Sequence, residues 1–348
     1  MGTDTILYEE IHQQPDVIEL FAQAGQDMVR SLASHMRSAD IRQVVVAARG
    51  TSDNAARYAQ YLLGANNRLP VMLTTPSLFT LYQKPPLFAP NTLVLGISQS
   101  GRSPDIVSVL AEGRRQGCVT AAISNFGDSP LAAQADHFVA LGAGEERSIA
   151  ATKTYTAQLF AVALLSAHLA DDPESIAALR RAPELIRQTL SLNSEVERLA
   201  ERYRYVRNCV VVGRGFNYST AFEIALKLKE LTYTLAEPYS SADFLHGPVS
   251  LVEPAFPVIV VAPTGVLTPE LEPFVRQLRD MDAELLCVSN DDSLLQLGRT
   301  KFPFPPVPEW LSPLLAIIPG QLFALFLAAA RDFDPDRPRG LQKVTETL

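Results

Sequence analysis

The chain has 348 residues, 47% hydrophobic and 20% charged, with 30 Lys and Arg against 38 Asp and Glu, giving a net charge of −8. That composition is globular, too long for one ordinary domain and comfortable for two. The acidic balance and the lack of a basic cluster argue against nucleic acid as a partner, so an anionic ligand has to be held by local groups.

The N-terminus, from Met1 to Pro15, reads as an acidic helix rather than a signal peptide. Residues 1–35 are expected to form an N-terminal helical segment. Next come short, nearly continuous apolar runs: Gln43 to Ala48, Leu93 to Ile97 and Ala121 to Ile123. Such runs suit strands buried on both faces of a parallel sheet. Each is followed by a Gly/Ser/Asn-rich turn and then a helical pattern, at Asp53 to Ala65, Pro104 to Gln116 and Thr154 to Ala170.

The pattern then repeats. Arg49-Gly50 returns as Arg214-Gly215, and Ser124-Asn125 as Ser289-Asn290, each 165 residues later; Leu93 to Ser98 corresponds to Val258 to Pro263. A period this long indicates duplicated domains, not a solenoid. The expected fold is therefore α/β, with two tandem doubly wound parallel sheets over 36–190 and 191–333. The charged, helical stretch Asp172 to Asn208 is placed at the junction, and a further helix is expected over Thr220 to Ala236. The apolar run Leu314 to Ala330 is interrupted by Pro319, Gly320 and Gln321, and reads as a buried helix rather than a membrane span.

Cys118, Cys209 and Cys287 lie in strand-like runs and suit reduced, buried thiols of a cytoplasmic protein. No CxxC or HExxH pattern occurs, so neither a metal nor another cofactor is called for.

Ligands of doubly wound sheets sit beyond the carboxyl ends of the strands, which confines the search to the turns. The most informative is Gly96-Ile97-Ser98-Gln99-Ser100-Gly101-Arg102-Ser103-Pro104-Asp105. With Ser103 as N-cap and Pro104 as the first helical residue, three hydroxyls and a Gln surround a helix start, which suits a phosphate monoester. A Ser-rich cap without a ligand would share the pattern. The turn Arg49-Gly50-Thr51-Ser52-Asp53 has the same setting, Thr152 is placed to cap a third helix, and Glu145-Glu146-Arg147 reads equally as a solvated charge run.

In the second domain Glu223, Lys227 and Glu230 share one helix face. Spacing alone fits a surface ladder. Phe222, Leu226 and Lys229 supply no clean opposite face, which favours turning the charges inward, where a carboxylate beside a lysine can move protons. His246, in Asp243-Phe244-Leu245-His246-Gly247-Pro248, is presented by a tight turn and is the histidine expected to act as acid or base. His12, His35, His137 and His168 show no cluster. The polar, Pro-rich tail from Asp334 reads as disordered on composition alone.

Five motifs in order, Ser98-Gln99-Ser100-Gly101, Ala151-Thr152-Lys153, Leu226-Lys227-Leu228-Lys229-Glu230, His246-Gly247-Pro248 and Pro338-Arg339-Gly340-Leu341-Gln342-Lys343, resemble the sugar isomerase (SIS) domain family over nearly the whole chain. The likeness is to the isomerase half of glutamine:fructose-6-phosphate amidotransferases and to type II glucosamine-6-phosphate deaminases, and it implies flavodoxin-like domains. It also implies that Ser98, Gln99, Ser100 and Ser103 hold a phosphate, while Ser52, Thr152 and the backbone near Ile149 and Ala151 line a sugar. Glu230 would shuttle a proton between C1 and C2, with Lys227 beside it. His246 would assist ring opening from the neighbouring subunit of a homodimer, and Lys343, at the carbonyl end, would make the 334–348 tail part of the site.

Arg102-Ser103-Pro104-Asp105 and Ala151 depart from the amidotransferase pattern towards the deaminases, and no glutaminase domain precedes the sugar-binding region in this sequence. The expected activity is conversion of glucosamine 6-phosphate and water to fructose 6-phosphate and ammonia. A fructosamine-6-phosphate deglycase, a glutaminase-lacking aminotransferase-like isomerase and a non-catalytic sugar-phosphate sensor are the alternatives.

Overall fold

The computed structural model describes residues 2–343, so tail residues 344–348 lie outside the described residues. The chain forms two compact units, one of residues 16–146, 153–181 and 342–343, the other of residues 2–15, 147–152 and 182–341.

The first unit is built on strands β1 (Gln43–Ala47), β2 (Val71–Leu73), β3 (Thr92–Ser98), β4 (Val119–Ser124) and β5 (His137–Ala140). All pairings are parallel, in the order β2-β1-β3-β4-β5. The second is built on β6 (Asn208–Gly213), β7 (Leu235–Tyr239), β8 (Pro257–Val261), β9 (Glu284–Ser289) and β10 (Thr300–Pro303). Its order, β10-β9-β8-β6-β7, is the same topology read from the other edge, and its pairings are parallel too. The doubly wound α/β expectation is met in both units, and β1 and β6, β3 and β8, and β4 and β9 each start 165 residues apart.

Helices on both faces force the strands to be apolar on both sides. Every residue of β3 and of β9 is buried. In the first unit Val94 and Ala122 pack with Ile106, Val109 and Leu110 of the Pro104–Arg115 helix. In the second, Val258 and Val260 pack with Leu271, Val275 and Leu278 of the Thr268–Asp280 helix. Cys209 and Cys287 are buried free thiols pushed up to about 12 by burial, whereas Cys118 is only partly covered.

Two expectations are corrected and two are met. The helix expected over Thr220 to Ala236 runs Tyr218–Thr232, because Tyr233 takes a left-handed φ of 55° and the chain turns into the edge strand β7. The buried helix expected from the C-terminal apolar run is present as Pro313–Ala330, with Pro319 and Gly320 inside it. Gly320 is there for contact: a Cβ would lie 2.4 Å from Ile224 Cγ1. By length and composition this helix could cross a membrane, but 89% of its apolar window is buried, as in a core helix.

The tail is ordered through its described part, as the family resemblance implies and composition alone does not. Asp336 accepts from Ile6 N (2.8 Å) and Leu7 N (2.9 Å), capping the Ile6–His12 helix, and the Arg339 guanidinium lies 3.8 Å from the Tyr233 ring centroid. The second correction is that the histidines are not all isolated, since His35 Nδ1 and His137 Nε2 are hydrogen-bonded.

Two predictions follow from the packing. Added at Gly213, a Cβ would lie 2.1 Å from the Asn217 carbonyl oxygen. Backbone cannot yield as a side chain can, so Gly213→Ala is expected to cost ~2 kcal/mol or more in chemical denaturation. The second concerns pH. Burial, then the neighbouring His35, lowers the pKa of His137; burial, then Arg30 and Arg37, lowers that of His168. A base with a lowered folded pKa leaves the unfolded chain to protonate first. Stability is therefore complete above about pH 6.5, the unfolded value, and is lost as the pH falls through the folded values. Denaturation midpoints should drop between pH 7.5 and 5.5, with a shallower drop for His137→Gln.

Candidate functional site

In each sheet the strand order reverses at one point, between β1 and β3 and between β6 and β8, and the turns flanking that point form the crevice of a doubly wound sheet. In the first unit these turns are 49–52 and 98–103.

Ser98 ends β3 and its Oγ accepts from Gly101 N at 3.1 Å, while Ser100 Oγ accepts from Arg102 N at 3.2 Å. Gly101 has φ 63°, and a Cβ there would lie 2.3 Å from Ser129 Oγ, so this turn admits only glycine. Ser103 occupies the N-cap position of the Pro104–Arg115 helix, but its hydroxyl makes no capping bond. The expected cap is therefore positional only, and that hydroxyl is unspent on the helix. The Gln99 side chain is half-buried and has no partner among the described residues.

Ser52 lies in the first turn of the Thr51–Asn67 helix, buried, with its Oγ accepting from Gln158 Nε2 at 3.0 Å. Its own proton is left to donate. Asp53, beside it, is raised above the ordinary carboxylate range by burial, which outweighs Arg57 and Arg49.

The run Glu145-Glu146-Arg147 is not simply solvated. Glu146 is 2% exposed and accepts from Thr154 N at 3.1 Å and Thr154 Oγ1 at 2.6 Å, near the start of the Lys153–Leu169 helix. It also pairs with Lys343 Nζ at 3.2 Å, which fixes the tail lysine on a buried carboxylate. Lys153 Nζ donates to the Glu145 carbonyl at 2.6 Å. Thr152 is buried and Ala151 partly so.

In the other unit, Glu10 is buried and accepts from Arg147 N (2.6 Å), Ser148 N (3.1 Å) and the Ser148 hydroxyl. This carboxylate holds the short segment carrying Ile149 and Ala151. Sequence reasoning missed Glu10, because the backbone it accepts from is far away in sequence, and the capping role of Glu146 on Thr154.

The charged face of the Tyr218–Thr232 helix is turned inward at Glu223 and Lys227. Lys227 Nζ lies 3.3 Å from Glu223 Oε1 and 2.6 Å from Glu230 Oε2; Glu223 and Lys227 are fully buried, whereas the Glu230 side chain is 21% exposed. Burial pulls Lys227 down, but the two carboxylates outweigh it and the net shift is upward, so Lys227 stays charged. A permanent cation thus steadies a carboxylate that still reaches solvent. His246 follows the Ser241–Leu245 helix, is exposed, and has no side-chain partner among the described residues, so it is not bonded to Glu230 or Lys227.

The duplicated anion turn of the second unit is filled from within. Val266 N, after β8, donates to Glu309 Oε2 at 2.7 Å, and a Cβ at Gly265 would lie 2.1 Å from that oxygen. A carboxylate of the chain occupies this turn, whereas the turn after β3 is closed by the Ser98 hydroxyl on Gly101 N, so the two domains differ here.

Comparison with known proteins gives the family. The SIS domain family matches residues 38–167 and 203–331. A glutamine--fructose-6-phosphate aminotransferase [isomerizing] of Aquifex aeolicus is 32% identical over 345 residues, covering 98% of this chain. The chain spans 58% of the length of that relative. Among solved structures, a Silicibacter pomeroyi protein assigned as a phosphosugar isomerase is 31% identical, with 95% of this chain and 100% of that one covered and a TM-score of 0.84. The fold is shared with glucosamine-6-phosphate deaminase of Thermotoga maritima, at 19% identity, TM-score 0.80, and coverage of 99% and 100%. The chain belongs to the SIS domain family and carries two SIS domains in tandem.

Proposed function

We propose that this chain is an enzyme that converts glucosamine 6-phosphate and water to fructose 6-phosphate and ammonia. The observation that carries the reading is the partly exposed Glu230 carboxylate, held 2.6 Å from the buried Lys227 ammonium. A binding protein has no need of a pre-positioned proton carrier, whereas an aldose–ketose conversion requires one.

In the proposed reaction, Ser98, Gln99, Ser100 and Ser103 hold the phosphate, and Ser52, Thr152 and the backbone at Ile149 and Ala151 line the carbon chain. His246 moves the proton that opens the ring. Glu230 takes the proton from C2 of the open-chain aldose and returns it to C1, leaving a C2 imine. Water adds at C2, the C–N bond breaks, and ammonia leaves with the proton. Lys343, paired with Glu146, supplies the cation at the carbonyl end. The same steps in reverse aminate fructose 6-phosphate.

The assay is ammonia release and fructose 6-phosphate formation from glucosamine 6-phosphate, run beside a panel of phosphorylated amino sugars and fructosamines. Glu230→Gln should bind the sugar phosphate as the parent does and lose about 10²–10⁴-fold in kcat. No turnover in the parent at concentrations where it binds the sugar would point to a sensor, and turnover only of fructosamines to a deglycase. We further propose a homodimer in which His246 serves the partner's site. Mixed His246→Ala and Glu230→Gln subunits should then regain part of the activity that each lacks alone. Heterodimers that form and stay inactive would refute the sharing.

A further inference from the structure

The first domain contains a cation that the phosphate-binding assignment does not use. Arg49 ends the β1 run, and its Nε donates to Asp105 Oδ2 at 2.7 Å. Asp105 is fully buried in the first turn of the Pro104–Arg115 helix, two residues beyond Ser103. The ion pair thus spans the β1/β3 switch point, joining the 49–52 turn to the 98–103 turn.

Its form matters. A guanidinium presents five N–H groups in a flat fork, and a pair that only struts two elements together gains most from a bidentate grip. Here Asp105 takes Nε alone. The Arg49 side chain is 49% exposed, and its Nη groups have no hydrogen-bond partner among the described residues. Burial of Asp105 is offset by Arg49 and by the start of its own helix. The guanidinium is therefore fixed at one corner while the rest of the side chain stays half-exposed, on one of the two turns that flank the switch point.

The duplicated domain serves as an internal control. Arg214-Gly215 follows β6 as Arg49-Gly50 follows β1, yet Arg214 has no ion pair among the described residues, and Glu309 fills the corresponding turn. The clamped arginine and the serine-rich anion turn occur together in one domain and are both missing from the other.

We infer that Arg49, held by Asp105 across the switch point, contacts the substrate's phosphate and makes the site selective for a dianionic phosphomonoester over monoanionic sugar esters. The inference rests on the phosphosugar reading above and adds a residue to it. Asp105 is the positioning residue, and Arg49 sets the charge selectivity that hydroxyls and backbone N–H groups cannot supply, since those accept one or two charges with little distinction.

The test is calorimetric titration of the full chain with glucosamine 6-phosphate and glucosamine 6-sulfate at pH 8, above the second phosphate ionisation near ~6. Arg49→Gln/Asp105→Asn replaces the ion pair with two amides, so no lone carboxylate is left buried. The parent should prefer phosphate to sulfate. The double variant should bind the phosphate about ten- to a hundredfold more weakly, as for loss of charged hydrogen bonds, and the sulfate only slightly more weakly, so that the preference narrows. Arg49→Lys keeps a cation facing Asp105 and protects the test if the double variant fails to fold. It should lose several-fold in phosphate affinity, part of the full effect. A folded double variant with parental affinities and preference would make Arg49 a strut and overturn the inference, as would an unchanged Arg49→Lys where only that variant folds. A parent that binds neither ester would instead overturn the phosphosugar reading, and this inference with it.

Discussion

A parallel sheet covered by helices on both faces has no surface of its own to give to a polar ligand. Every β3 and β9 side chain is buried, so groups that must meet water and still be held rigidly are pushed to the turns at the carboxyl ends. The anion turn of residues 98–103, the Arg49–Asp105 pair and the Glu309 plug all lie there. The reversal of strand order then opens a crevice at one place per sheet. The site chemistry of each domain is a consequence of that constraint.

A second constraint is what buried charge requires. Lys227, Glu223, Glu146, Glu10 and Asp105 are nearly or wholly inaccessible, and each is matched to a charge or to donors. Such groups seldom add net stability over apolar packing, and removing one partner is costly. Their number in this chain is better explained by what they position: Glu230, the Lys343 ammonium, the 147–150 backbone and the Arg49 guanidinium.

Duplication doubled the scaffold without doubling the chemistry. Both domains keep the Arg-Gly pair and the strand order. In the second, Glu309 sits at the turn that corresponds to residues 98–103, and the Tyr218–Thr232 helix carries the buried charged face.

The amino-acid sequence by itself determined the two domains, their parallel strands, and the turn and helix carrying the polar groups, because period, apolar runs and turn residues are local properties. The inward direction of Lys227 was legible too, from the helix's lack of a clean apolar face opposite its charges. Tertiary structure alone decided the rest. Glu10 looks like a surface acid until the backbone it accepts from is brought to it, and Glu146 until Lys343 is. Gly320 looks like a poor helix residue until a neighbouring helix is seen to need close approach there. Arg49 looks like any turn residue until a buried aspartate 56 positions on is found to hold it. Contacts between residues distant in sequence depend on how the chain packs, and no local pattern encodes them.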